Sequence, residues 1–225
     1  MNNVMCETFV LSNVLFQHRE YTCRRDNMNV NVCTIDIKYK YSEDVIDSLV
    51  IQTPVMKCIS IKEFGQNEDG KKCYSAGFLL RQNVDEHVMF KDICDKLSGA
   101  IIEYAQCTMK SNQKNIQPSS LMIVPDFTDA SDSILYCKFN TDKACNISTF
   151  VTIENSNSKD IFSAKIPFEC VVGLMFGQVT ITHRIAIQKK INDIIVLTGG
   201  PVIIEKSTCL TQKLDENIVI KNIRW

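Results

Sequence analysis

The sequence predicts a mainly β fold of the α+β class, an antiparallel barrel or sandwich carrying one helical insertion. Three observations lead there. Several segments alternate apolar and polar residues with period two, most clearly CTIDIKYKY and QVTITHRIAIQ. One stretch alone, from Asp85, shifts to a helical period. Turn-forming clusters such as Thr53-Pro54, GQNEDG and Gly199-Gly200-Pro201 separate the segments.

With 225 residues, 45% hydrophobic and 23% charged, the chain can bury a sizeable core, and one domain spanning 1–225 is expected. A net charge of -1 argues against coating nucleic acid through bulk charge but leaves a local basic groove open. No apolar run approaches the roughly 18 residues of a membrane span, and VLSNVLF lacks the flanks of a signal peptide. The expected site is therefore intracellular, with no membrane partner. The 11 cysteines are odd in number and none fall in a CxxC, so buried thiols are expected rather than a disulfide framework or zinc knuckle. His18, His87 and His183 form neither HExxH nor a triad pattern, and neither a metal nor another cofactor is expected.

In chain order, residues 4–16 are apolar and ambiguous between strand and short helix, and HREYTCRRDN reads as a basic exposed loop. In the next strand Cys33, Ile35, Ile37, Tyr39 and Tyr41 share one face, and Thr34, Asp36, Lys38 and Lys40 the other. Val55 to Phe64, the GQNEDG turn and the alternating Tyr74, Ala76, Phe78 and Leu80 predict a hairpin. Its turn contains Gly65-xxxx-Gly70-Lys71, close to a phosphate-binding loop. Lys72 replaces the required Ser or Thr, and a strand rather than a helix follows.

Met89, Ile93, Leu97, Ile101 and Tyr104 recur at helical spacing, with Asp85 and Glu86 favouring the first turn, so a helix is expected over about 85–107. Its acidic surface would repel a polyanion, which places it behind the sheet. Residues 108–133 read as a long polar loop, whose DFTDASD lacks calcium-loop spacing. ILYCKFN, STFVTIE, DIIVLTGG and PVIIEK read as further short strands. Between STFVTIE and DIIVLTGG lies FSAKIPFECVVGLMFGQVTITHRIAIQKK, read as two long strands joined around Gly173 and Gly177, the second placing Val179, Ile181, His183, Ile185 and Ile187 on one face. Residues 161–190 carry a net +3.

The landmarks LVIQTPVMKCISIKEF, YSAGFLL, KDICDKLSGAIIEYA, SILYCKFN and KIPFECVVGLMFGQVTITHRIAIQKKI, in this order over about 48–191, resemble the single-stranded DNA-binding proteins of large double-stranded DNA viruses, from poxviruses to giant algal viruses. The likeness is one of pattern and order with short identities, QTPxMK being the most specific. It implies an oligonucleotide-binding (OB-like) barrel, non-catalytic and sequence-independent binding of single-stranded DNA, with RNA not distinguished, and a part in viral genome replication and recombination inside the host cell. Viral replication proteins and self-association on DNA are the further partners it implies. One departure is that poxvirus members end in a long acidic tail, whereas this sequence ends in KLDENIVIKNIRW, with Trp225 as its single tryptophan.

Such binding needs cations along the phosphates and aromatic rings for the bases. Lys38, Lys40, Lys57, Lys62, Lys71, Lys72, Arg81, Arg184, Lys189 and Lys190 lie on or beside predicted strands. Lys38, Lys40 and Arg184 project opposite the apolar faces and lead this set, with Tyr39, Tyr41, Tyr74 and Phe139 as candidate stacking rings, each with core packing as the competing role. A viral structural or scaffold protein of β-sandwich fold accounts for the same alternation. An enzyme is not supported by any constellation of residues.

Overall fold

The computed structural model describes residues 3–25, 28–66, 72–108, 117–118, 123–125, 132–141, 147–181, 184–198, 202–203 and 221–222. Strand β1 (Val4–Met5) is followed by β2 (Val14–Arg25), β3 (Met28–Lys40), β4 (Ile46–Gln52), β5 (Met56–Gln66) and β6 (Lys72–Leu80). Helix α1 (Asp85–Thr108) comes next, then β7 (Gln117–Pro118), β8 (Ile123–Pro125), β9 (Ser133–Phe139) and β10 (Phe150–Ile153). The described chain ends with β11 (Phe168–Ile181), β12 (Arg184–Leu197), β13 (Val202–Ile203) and β14 (Lys221–Asn222).

Five of these strands close on themselves. β5 pairs with β6, β6 with β9, β9 with β12, β12 with β11, and β11 returns to β5. Counted in chain order the ring runs first, second, third, fifth, fourth and back to the first, which is the Greek-key barrel of the OB-fold. Every pairing in the ring is antiparallel except the closing one between β9 and β12, which is parallel. On β11, β3 and β4 add a second layer of pairing, with β2 on the far edge of β3 and β1 parallel to β4.

β11 can serve three neighbours because it bends. Its register against β12 shifts between Gly173 and Leu174 and again between Phe176 and Val179, so its start pairs with β5, its middle with β4 and its end with β3. Glycine inside a strand often marks such a bulge, where the backbone turns without a side chain to accommodate. Gly173 and Gly177 therefore bend one long strand, and the predicted turn at these glycines is corrected: the connection lies between Ile181 and Arg184. Two further expectations change. HREYTCRRDN contributes to β2, paired residue by residue with β3, and Asp193 to Leu197 of DIIVLTGG continue β12 rather than forming a strand of their own.

The core fills the barrel and spreads under its N-terminal annex. Phe78, Leu135, Phe176 and Ile35 are fully enclosed, and α1 contributes the stripe Phe90, Ile93, Cys94, Leu97, Ile101 and Ala105 to the same cluster. Each large apolar side chain so enclosed contributes about 1.5–3 kcal/mol, which holds the helix despite its polar outer face. Gly99 lies within the helix and does not end it. His87 fixes the start of α1: its Nδ1 accepts from the Arg81 N–H at 2.9 Å, and its Nε2 faces the Val55 carbonyl at 2.8 Å. With both nitrogens engaged by backbone, this histidine ties the helix to β6 and to the corner entering β5.

Cys33, Cys58, Cys94, Cys137 and Cys170 are buried free thiols. Burial pushes Cys58 up to about 11 and Cys137 up to about 12, which keeps both protonated and poorly nucleophilic near neutrality. Lys71, His183, Trp225, most of 108–133 and the turns expected at 67–70 and 199–201 lie outside the described residues.

Candidate nucleic-acid interface

Alternation along a strand sends successive side chains to opposite faces, and the barrel interior claims one of them. On β9, Leu135, Cys137 and Phe139 point inward and are buried, so Tyr136 and Lys138 point outward and are exposed. On β6 the inward set is Ala76, Phe78 and Leu80, which leaves Ser75 and Gly77 on the outside.

The register then assembles a surface from residues distant in sequence. Lys62 on β5 is opposite Ser75 on β6, Ser75 is opposite Lys138 on β9, and Lys138 is opposite Lys190 on β12. Strands lie about 4.8 Å apart, so three lysines mark a row about 14 Å long across the outer barrel wall. Lys138 and Lys190 are register partners, which brings two like charges to adjacent positions on the wall.

One step along the strands runs a second row: Ser60 on β5, Gly77 on β6 and Tyr136 on β9. The Tyr136 ring lies over Gly77; a Cβ at that position would be 3.0 Å from its Cε1 and 2.8 Å from Ser60 Oγ. Glycine is what lets the ring rest on the sheet. Tyr136 is 42% exposed, so one side of an immobilised ring is presented about 7 Å from the lysine row. Neither row contains a carboxylate. A seat for a flat ring beside a line of cations is suited to bases and phosphates of a single strand.

The residues nominated from sequence are distributed unevenly around this wall. Lys190 is in the row. Lys57 is on the same outer face, outside the lysine row, with Glu169 on β11 as its register partner. Lys38 and Lys40 occupy the face of β3 opposite buried Ile35, Ile37 and Tyr39, as expected, but on the annex beyond β11. Arg184 opens β12 beside β7, and its side chain is outside the described residues.

Other nominated residues have structural occupations. Tyr39 is 4% exposed and its hydroxyl accepts from the Val10 N–H at 3.1 Å. The Tyr41 hydroxyl donates to the Ser48 carbonyl at 2.9 Å and accepts from the Val50 N–H at 3.2 Å, which ties β3 to β4. Phe139 is 4% exposed, inside the barrel. Core packing is thus the role of Tyr39 and Phe139, because the inward parity of their strands claims them. Tyr74 meets Phe162 edge to face at 4.8 Å, and Lys72 pairs with Glu63 at 2.9 Å, an ion pair that raises the lysine's pKa. Arg81 is exposed at the opposite end of β6 from Lys72, next to α1.

Lys189 and Lys190 part company. Lys190 is opposite Met175 and Lys138 on the outside, whereas Lys189 is opposite fully buried Phe176 and sits near Cys137 and Cys94. Burial lowers the pKa of Lys189, because the charged ammonium loses its hydration. Tyr136 and Lys138 were missed in the sequence reading, although the parity of ILYCKFN marks both as outward.

Among the described residues no three His, Cys, Asp or Glu side chains converge as metal ligands, and no helix is long and apolar enough to cross a membrane. Comparison with protein-family models and with curated proteins gave no match. Solved structures similar to this chain include the following three. The single-stranded DNA-binding protein gp2.5 of bacteriophage T7 has a TM-score of 0.41 and 10% identity, over 68% of this chain and 91% of its own. The single-stranded DNA-binding protein of bacteriophage Enc34 has a TM-score of 0.44 and 13% identity, over 84% of this chain and 96% of its own. Its C-terminally truncated form gives 0.44 and 13%, over 81% and 97%.

Proposed function

We propose that this chain is a non-catalytic protein that binds single-stranded DNA without sequence preference, using the outer wall formed by β5, β6, β9 and β12. The observation that carries the proposal is the pairing of two adjacent rows: Lys62, Lys138 and Lys190 in one, and Tyr136 seated on Gly77 in the other. Lysines attract phosphates whatever the base, and a tyrosine ring stacks on any base. Neither reads base edges, so affinity should be general and salt-dependent. The wall is also the part of an OB barrel, its second and third strands, that commonly receives oligonucleotides.

The viral setting, a part in genome replication and recombination within the host cell, and self-association along the strand rest on the sequence resemblance over about 48–191. Fluorescence anisotropy with labelled oligo(dT) tests the binding proposal. Binding that weakens on Tyr136→Ala is expected. An absence of binding at low salt would overturn it.

A further inference from the structure

A second group of polar residues lies farther along the same outer face, and DNA binding gives it no role. Gly173 on β11 is flanked by Gln52 on β4 and by Asp193 on β12, its register partners on either side. Partners in register project to the same face, and the missing Gly173 side chain leaves the space that the Asp193 carboxylate occupies. A Cβ there would coincide with the Asp193 carboxylate. Asn3, two residues before the β1 residue paired with Gln52, lies against Asp193 without a well-formed hydrogen bond.

These side chains are enclosed and underused. Gln52 is 3% exposed and Asp193 8%, yet Gln52 Oε1, Asp193 Oδ1 and both amide atoms of Asn3 have no hydrogen-bond partner. Asp193 Oδ2 accepts from Asn192 Nδ2 at 2.8 Å. Orphaned buried oxygens are costly, and a buried carboxylate more so unless its charge is offset. Among the described residues Asp193 has no ion-pair partner. Polar contacts from Asn192, Asn3 and the Gly173 backbone and the positive N-terminus favour the charged carboxylate, but burial outweighs them.

We propose that Asp193, Gln52 and Asn3 form an oxygen-donor site over Gly173 for a hard cation of the calcium type. The donors are one carboxylate and two amide carbonyls, with no thiolate or imidazole, a set that suits Ca²⁺ and disfavours zinc or copper. Ca²⁺ tolerates the irregular geometry of donors drawn from three separate segments better than Mg²⁺, which demands a near-ideal octahedron. With a single charged ligand the affinity belongs to the weak class, on the order of 1 mM. Binding would fasten β1 and β4 to β11 and β12, stiffening the barrel seam beside Lys190.

Thermal unfolding of the full chain without DNA tests the site, independently of the DNA-binding proposal. Samples treated with chelator are compared in 10 mM CaCl2, in MgCl2 and in NaCl of matched ionic strength. The expected result is a rise in Tm of about 3–5 °C in CaCl2, a smaller rise in MgCl2, and no response to CaCl2 in Asp193→Asn. Should that variant fail to fold, Asn3→Ala replaces it, with a reduced rise expected. A parent that melts alike in CaCl2 and NaCl overturns the site, as does a variant that keeps the parent's rise.

Discussion

Tyr136 lies across Gly77 from the neighbouring strand, so that a methyl group on Gly77 would approach the ring to 3.0 Å. This relationship turns a mobile aromatic side chain into a fixed platform. It makes Gly77 as necessary to the platform as the ring itself.

Gly77→Ala is expected to lift the ring and weaken oligo(dT) binding, with the barrel still folded. Tyr136→Ala should weaken it by about 5- to 150-fold, corresponding to about 1–3 kcal/mol of stacking. Tyr136→Phe should stay close to the parent, because the ring face and not the hydroxyl meets the base. Anisotropy titrations beside thermal melts check all three. Full affinity in Gly77→Ala would mean that the ring is not held where a base must stack.

Adjacent lysines on β12 give a directional contrast. Lys190→Gln should weaken DNA binding, whereas Lys189→Gln should leave it near the parent value, since Lys189 faces the interior beside Cys137. Equal losses in the two variants would contradict the assignment of faces.

Asp193 gives a pH dependence whose sign can be fixed. Burial raises its pKa above the ordinary carboxylate value, so between the two values the folded state holds more protons than the unfolded. Stability from this group is therefore gained as pH falls through the folded-state value, and the gain is complete below about 3.9. In chelator, Asp193→Asn should melt above the parent at neutral pH, with the difference shrinking toward acid. Melting curves from pH 4 to 8 check this. A difference that does not vary with pH would contradict it.

The fold was largely legible because burial enforces period. β3, β6 and β9 alternate as their interior faces demand, and α1 shows its stripe over almost its full length. What stayed hidden has physical causes. Among the described residues β2 pairs with β3 alone, at the edge of the sheet, so the charged run that ends it carries no clear alternation and reads as a loop. Gly173 and Gly177 resemble turn residues, but inside β11 they accommodate Asp193 and a bulge.

The site was less legible for a related reason. Aromatic character drew attention to Tyr39 and Phe139, while parity is what decides exposure, and it selects Tyr136. The lysine row is a matter of register between strands from four regions of the chain, which no local pattern encodes. Lys138 and Lys190 are 52 positions apart and become neighbours only when the barrel closes.

The central claim is that the row Lys62, Lys138 and Lys190 neutralises phosphates. Its most direct measurement is the slope of log affinity against log salt for oligo(dT), in the parent and in the triple variant Lys62→Gln, Lys138→Gln, Lys190→Gln. Each phosphate contact on a single strand contributes about -0.7, so removal of three should flatten the slope by about 2. The same slope in both proteins, or a parent whose affinity ignores salt, would contradict the account.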